Sequence, residues 1–382
     1  MGTEEGGGMI LSAAPAAAID CRQRAQPFRM TGRTGAVNVK TPRLYAAALL
    51  ALVTALVAAC TSTTPPASAG GSSSAAAPAT LKVELDWVPN PDHVGLYYAQ
   101  NKGIFSGNKL TVNFLTPSNA ADPIKLVGLN KVDLGISYES EVYYGQQENL
   151  PVTAVATIVP VPLNSLIVAA RDHVTSLSQM AGKKVGISGI PSDDAIYTTM
   201  VKTAGLKPSQ VSNVSVGFNL VNSLLSGKVD AIIGGYRNVE AIQIAQETGR
   251  RPTVFPVSAL GVPSYAELVL VANRNRLASD KAYADAVRRF VKSLVAGTNA
   301  ARKDPSGATQ IMEQVSQYKV AFLERSVPYT VTLLAPPPGQ KTGCINEANW
   351  QSFGDWMKQN KLIKVTPNAS LISTDKYLPY SC

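Results

Sequence analysis

Only two histidines occur in the 382 residues. One of them, His93, stands in the stretch "LDWVPNPDHVGLYYAQNKGIF", Leu85 to Phe105, close to Trp87 and Asn90. A histidine-based metal site or catalytic triad has little material to work with. No HExxH, CxxC, G-x-S-x-G or Walker-type glycine loop is present either. Catalytic residues, a bound metal and a cofactor are therefore not expected. "SGIPS", Ser188 to Ser192, is only a weak match to an anion-holding helix start. What the chain offers instead is aromatic rings, amides and carboxylates where apolar runs end. Tyr138, Glu139 and Glu141 follow one such run; Tyr236, Asn238 and Glu240 follow another. Such a set stacks on and hydrogen-bonds a small, planar, polar molecule.

These side chains need elements to hold them. "LKVELDW" reads as a strand, and "HVGLYYAQNKGIF" as a helix with Asp92 as N-cap and Gly103 just past its end. From there strands and helices alternate to about residue 273. The long β-rich run "VTAVATIVPVPLNSLIVAA" lies in the middle, and three helices are read in the C-terminal part. Alternation of this kind argues for mainly parallel α/β sheets. One echo stands out. "GLNKVDLGISYESE" (128–141) and "LLSGKVDAIIGGYRNVE" (224–240) each run from a helix end through Lys-Val-Asp and an apolar strand to a tyrosine and then glutamates. Ligands of open α/β sheets bind beyond the carboxyl ends of strands, so two facing sheets would bring these polar ends together. Chance similarity of two βα units remains the competing reading.

The N-terminal region reads as targeting rather than fold. Lys40 and Arg43 precede an uncharged run from Leu44 to Ala59, which is short for a membrane span and right for a signal segment. It ends in "VAAC", which resembles a bacterial lipobox with Cys60 as the lipidated residue; an uncleaved anchor helix is the alternative. Residues 1–29 fit no signal pattern, and Met30 is a candidate start, which makes 1–59 a signal peptide with an over-long extension. Residues 60–80, rich in Ser, Thr, Ala, Gly and Pro, read as a lipid-anchored flexible linker. With Cys21 discarded and Cys60 lipidated, Cys344 and Cys382 are left outside the membrane, where they either bridge or stand as separate thiols. The net charge is +9, of which residues 1–59 hold six Lys/Arg against three Asp/Glu. The excess left over is mild, has no Lys/Arg block and does not argue for nucleic acid.

The opening stretch, with "KVDLGISYESEV", "PLNSLIVAA", "VDAIIGGYRNVEAIQI" and "NWQSFGDWMKQNKLI", resembles the solute-binding proteins of ABC importers over roughly residues 81–380. The branch it is most similar to is the one for thiamin pyrimidine precursors, which shares its fold with fungal pyrimidine synthases. The resemblance implies a two-lobe, type II periplasmic-binding-protein-like α/β fold: lobe one from 81–172 plus 268–382, lobe two from 173–267, with crossings near 172 and 267. It implies a small-molecule ligand, a membrane permease as partner and a monomer. It also implies site roles. Trp87 would wall the ligand ring or pack in the core, Asn90 would bond ring nitrogens or cap a turn, and His93 would face the cleft or pack behind it. Tyr138, Glu139, Tyr236, Asn238 and Glu240 would line the cleft. Glu141 would join them or start a helix, and Asn164 would bind ligand or build the hinge. Arg237 would pair with a lobe-one carboxylate on closure or lie at the surface. The synthases carry a lysine and a histidine where this chain reads "GISYESEV", and a cysteine-rich run that is missing here. An enzyme is thus the distant alternative. A binding protein for a flavin precursor, sulfonate or nitrate is the nearer one, because "SGIPSDDA" departs from the Gly-rich pattern of the branch.

Overall fold

The computed structural model describes residues 77–382. The signal segment, Cys60 and nearly all of the 60–80 linker lie outside the described residues. Two five-stranded sheets form the body. The first contains Ala79–Glu84 (β1), Leu110–Leu115 (β2), Leu134–Ser137 (β3), Val152–Val159 (β4) and Leu268–Asn273 (β10). Its order is β2-β1-β3-β10-β4. The second contains Asn164–Val168 (β5), Lys184–Ile187 (β6), Ser212–Ser215 (β7), Ala231–Tyr236 (β8) and Thr253–Pro256 (β9), in the order β7-β6-β8-β5-β9. β1 pairs parallel with β2 and β3, and β6 pairs parallel with β7 and β8. One strand in each sheet runs against its neighbours: β10 between β3 and β4, and β5 between β8 and β9.

The strand sequences explain this placement. β10 is buried at every residue, as expected of a central strand covered on both faces, and the edge strand β4 is buried throughout as well, with Ser373 bridged to Ala154 on its outer side. The chain leaves sheet one after Val159 and enters sheet two at Asn164. The first crossing is therefore at residues 160–163 rather than near 172, and β5 belongs to lobe two. Pro160 and Pro162 are the physical reason, since proline cannot donate to a central ladder and splits the β-rich run into two strands. The return enters sheet one at Leu268. β1 begins at Ala79, inside the segment read as linker, where Ala79 and Thr80 pair with Leu110 and Thr111.

Helices complete lobe one. The helix Val94–Asn101 crosses the long helix Lys281–Lys303 at Gly95 and Gly297, where a Cβ on either glycine would strike Thr298 or the Gly95 carbonyl. Lys102 ends the first of these helices and Gly103, at φ 68°, turns the chain out of it. Near the C-terminus, the helix Glu347–Gln359 packs on Tyr143, whose hydroxyl donates to the Trp350 carbonyl at 2.6 Å. Cys344 and Cys382 are joined, with Cα atoms 5.9 Å apart. Among the described residues no helix is long and apolar enough to cross a membrane.

Candidate functional site

The topology brings one set of strand ends together. The carboxyl ends of β1, β3, β6 and β8 and the starts of the two reversed strands, β5 and β10, open on a narrow cleft between the sheets. Trp87, Tyr138, Tyr236 and Tyr265 give it aromatic walls, joined by Phe353 and Trp356 from the helix Glu347–Gln359. Its polar edges are Asp86, Asn90, Asn164, Glu240 and Glu267, with Ser188 and Ser192. Among the described residues, no lysine, arginine or histidine lines it.

The β1 end is built residue by residue. Trp87 is half-buried, faces the cleft and meets Phe218 of lobe two edge-on, with ring centroids 4.3 Å apart. Asn90 also lines the cleft, but its Oδ1 accepts from the Asp92 N–H at 2.8 Å. Asn90 is thus the cap of the helical turn Pro91–His93, the role expected of Asp92. The Asn90 N–H donates to His93 Nδ1 at 3.2 Å. That leaves the ring hydrogen on Nε2, which donates to Asp86 Oδ1 at 2.7 Å. His93 is fully buried behind the wall and orients Asp86 rather than facing the cleft. The Tyr138 hydroxyl holds the other Asp86 oxygen at 3.1 Å.

The remaining predicted residues divide into two groups. Tyr138, Asn164, Tyr236 and Glu240 line the cleft with Trp87 and Asn90. Asn164 is bonded at both ends of its amide, to Asp193 Oδ1 at 3.2 Å and from the Gly234 N–H at 3.0 Å. Glu240 accepts from the Tyr236 N–H at 2.7 Å, and burial pushes its carboxyl up to about 7. Glu139, Glu141 and Asn238 lie away from the cleft, as lobe-to-lobe contacts. Glu139 accepts from the Ala266 N–H at 2.7 Å while its Oε1 has no partner, and burial pushes it up to about 8. Glu141 is buried beside Ser192 of lobe two, and burial pushes it up to about 7. Asn238 donates to Asp92 Oδ1 at 2.7 Å and to Thr330 Oγ1 at 2.9 Å. Burial holds the Asp92 carboxyl well above its ordinary range. Among the described residues Arg237 has no carboxylate partner, and it donates to the Pro162 carbonyl in the first crossing.

Two cleft carboxylates escaped the sequence reading. Asp86 stands directly before Trp87. Glu267 stands directly before β10, and its Oε2 accepts from the Leu163 N–H at 2.6 Å, the Asn164 N–H at 2.8 Å and the Tyr265 hydroxyl at 3.2 Å. It thereby ties the two crossings together at the floor of the cleft, and burial pushes it up to about 7. The available signal was an acid opening an apolar run. It was missed because the cleft was sought where strands end, and a reversed strand presents its start.

Comparison with known proteins agrees with this architecture. A Haemophilus influenzae protein named for thiamine biosynthesis is 35% identical over 285 residues, 74% of this chain and 88% of its own length. A formylaminopyrimidine-binding protein of Halalkalibacterium halodurans is 38% identical over 194 residues, 51% of this chain and 58% of that one. A 4-amino-5-hydroxymethyl-2-methylpyrimidine phosphate synthase of Saccharomyces cerevisiae is 27% identical over 234 residues, covering 58% and 66%. Among solved structures, the alkanesulfonate-binding protein of Xanthomonas axonopodis, bound to MOPS, superposes with a TM-score of 0.60 at 15% identity, over 79% of this chain and 99% of that one. That likeness shows the periplasmic-binding-protein fold. Residues 90–308, more than half of the chain, match the family described as NMT1/THI5-like. With the Haemophilus relative matched over most of its length, the chain belongs to that family.

Proposed function

We propose that this chain is the solute-binding component of an ABC importer and takes a thiamin-related aminopyrimidine, of the hydroxymethyl or formylaminomethyl type, in its cleft. The observation that carries the reading is the lining: aromatic walls, amide and carboxylate edges, and no cation. An aminopyrimidine presents an amino donor beside a ring-nitrogen acceptor. A carboxylate takes the donor, and an amide or hydroxyl serves the acceptor. Leaving either unpaired in a closed cleft costs about 1–3 kcal/mol. A sulfonate or nitrate would instead call for a concentrated cationic site, and among the described residues the lining holds no lysine, arginine or histidine. The name of the Halalkalibacterium relative supports the same ligand class. For an enzyme, the nearest histidine faces the wrong way, bonded to Asp86 behind the wall. The reading includes Cys60 as the lipid attachment, an extracytoplasmic location at the membrane, a permease as partner and a monomeric receptor.

Titrating the full chain with hydroxymethyl and formylaminomethyl aminopyrimidines, followed by tryptophan fluorescence, tests the ligand. A saturable response at micromolar levels or below is expected. No response to either, with a response to a sulfonate or flavin, would overturn the reading. Trp87→Ala should keep the folded circular-dichroism signature and bind about 10–100-fold more weakly, the scale on which stacking on an aromatic ring contributes. An unfolded variant would instead make Trp87 a core residue.

A further inference from the structure

In α/β proteins, a loop from strand to helix offers backbone N–H groups and a helix N-terminus to an anionic ligand. The chain has such a loop at the cleft, Ser188 to Ile190, between β6 and the 13-residue helix Pro191–Thr203. Here the protein's own Asp193 already holds the Ser188 donors. Asp193 Oδ2 accepts from the Ser188 N–H at 2.9 Å and from the Ser188 hydroxyl at 2.5 Å, while Oδ1 accepts from Asn164 at 3.2 Å. Asp193 is fully buried. Glu141, from lobe one, is buried beside Ser192 at the same helix start, and its Oε1 has no partner. From the other side β8 closes the space: at Gly234, with φ 93°, a Cβ would lie 2.6 Å from Asp193 Oδ2. A second anion would find the Ser188 donors taken, the room filled and two carboxyl groups facing it.

We infer that Asp193 and Glu141 serve as a built-in occupant of the lobe-two anion seat. They thereby restrict the cleft to uncharged or cationic pyrimidines and exclude phosphate esters and sulfonates. The inference deepens the pyrimidine reading above and rests on it for the identity of the ring, but not for the exclusion of anions. A phosphate or sulfonate that finds the Ser188 donors taken should lose about 100-fold or more in affinity, the scale of unmade hydrogen bonds to a charged group in a closed cleft.

The test compares the hydroxymethyl aminopyrimidine with its phosphate ester by calorimetry on the full chain. Thermal shifts with millimolar inorganic phosphate and ethanesulfonate run in parallel. The wild type should bind the ester about 100-fold or more weakly than the alcohol and give no shift with either simple anion. Glu141→Gln and Asp193→Asn should each narrow the gap by about tenfold, through tighter binding of the ester. Wild-type binding of the ester within tenfold of the alcohol would overturn the inference, as would an anion-induced shift of the wild type. Folded variants that leave the ratio unchanged would overturn the assignment to these two residues. If neither pyrimidine binds, the ligand reading fails alone. The anion arm then decides the inference: a silent wild type with responsive variants supports it. Should Asp193→Asn not fold, the wild-type comparison and Glu141→Gln still decide.

Discussion

The two lobes use one phrase twice and then part company. In lobe one, the Asp133 N–H donates to the Lys82 carbonyl at 2.9 Å and its Oδ2 accepts from the Lys82 N–H at 2.8 Å. In lobe two, Asp230 does the same to Lys184, at 2.8 and 2.7 Å. Each aspartate fastens the strand that follows it to its parallel neighbour, and each strand delivers a tyrosine, Tyr138 or Tyr236, to the cleft. Beyond the tyrosines the halves differ. Glu139 and Glu240 are both the first residues of their helices. Glu240 stands four residues after its tyrosine and reaches back to that residue's N–H, so it stays on the cleft. Glu139 follows its tyrosine directly, cannot fold back, and crosses to Ala266. The same residue type at the same helix position becomes a cleft edge in one lobe and a lobe-to-lobe contact in the other. Spacing from the strand end decides which.

The largest effect is expected from pH, which acts on both kinds of glutamate at once. Burial raises Glu139 to about 8, and Glu141, Glu240 and Glu267 to about 7, from an ordinary 4.5. A carboxyl raised on folding keeps its proton in the folded chain while the unfolded chain has released its own. Between the ordinary value and the folded one, the folded state therefore holds more protons, and stability falls as pH rises. The melting temperature without ligand should drop steadily from about pH 5 to pH 8 and level off above. Asp280 and Asp304 are depressed carboxyls, which act on the acid side of that window. Glu139→Gln should lessen the slope across the whole window, including the part above neutral pH, whereas Glu240→Gln should lessen it only up to neutral pH. Melting curves that rise through this range would break the argument.

Alanine at the two positions separates edge from contact. Glu240→Ala should weaken pyrimidine binding by about 10–100-fold, the cost of leaving a ligand donor and the Tyr236 N–H unpaired. Glu139→Ala should leave affinity within about threefold while the orphaned Ala266 N–H lowers stability by about 1–3 kcal/mol. Calorimetric titration and chemical unfolding read the two quantities. Equal losses of affinity would mean that the lobes use their glutamates alike.

Much of the fold was legible, and the failures have physical causes. The alternating runs and the Lys-Val-Asp echo located the strands that meet at the cleft, because apolar runs and their flanking turns report strands directly. The first crossing was also written in the chain, in Pro160 and Pro162, but was read through as one long β segment. The helix Val320–Leu333 was not assigned, since Pro328 sits inside it and proline ordinarily breaks a helix. In the cleft, residue types were readable and directions were not. Nothing in "NPDH" says that Asn90 caps the turn and thereby sends His93 back to Asp86. Phe353 and Trp356 come from a helix more than 250 residues beyond Trp87, and an aromatic pair three apart on a helix reads equally well as core.

The smallest effect tests the part of the echo that the lobes share. Asp230→Ala removes a solvent-exposed acceptor from the Lys184 N–H and should cost about 1 kcal/mol in urea unfolding. Asp133→Ala should cost slightly more, because Asp133 also pairs with Arg276 at 2.7 Å, and a half-exposed pair of this kind adds about 0–1 kcal/mol. Arg276→Ala then serves as the control, since alone it should account for the difference between the two aspartates. A larger loss from Arg276→Ala would place its weight in the guanidinium packed 3.9 Å over the Tyr283 ring instead. If instead Asp230→Ala has no cost while Asp133→Ala does, the repeated Lys-Val-Asp would be a resemblance of sequence only. The two lobes would then share a strand-end tyrosine without sharing the device that places it.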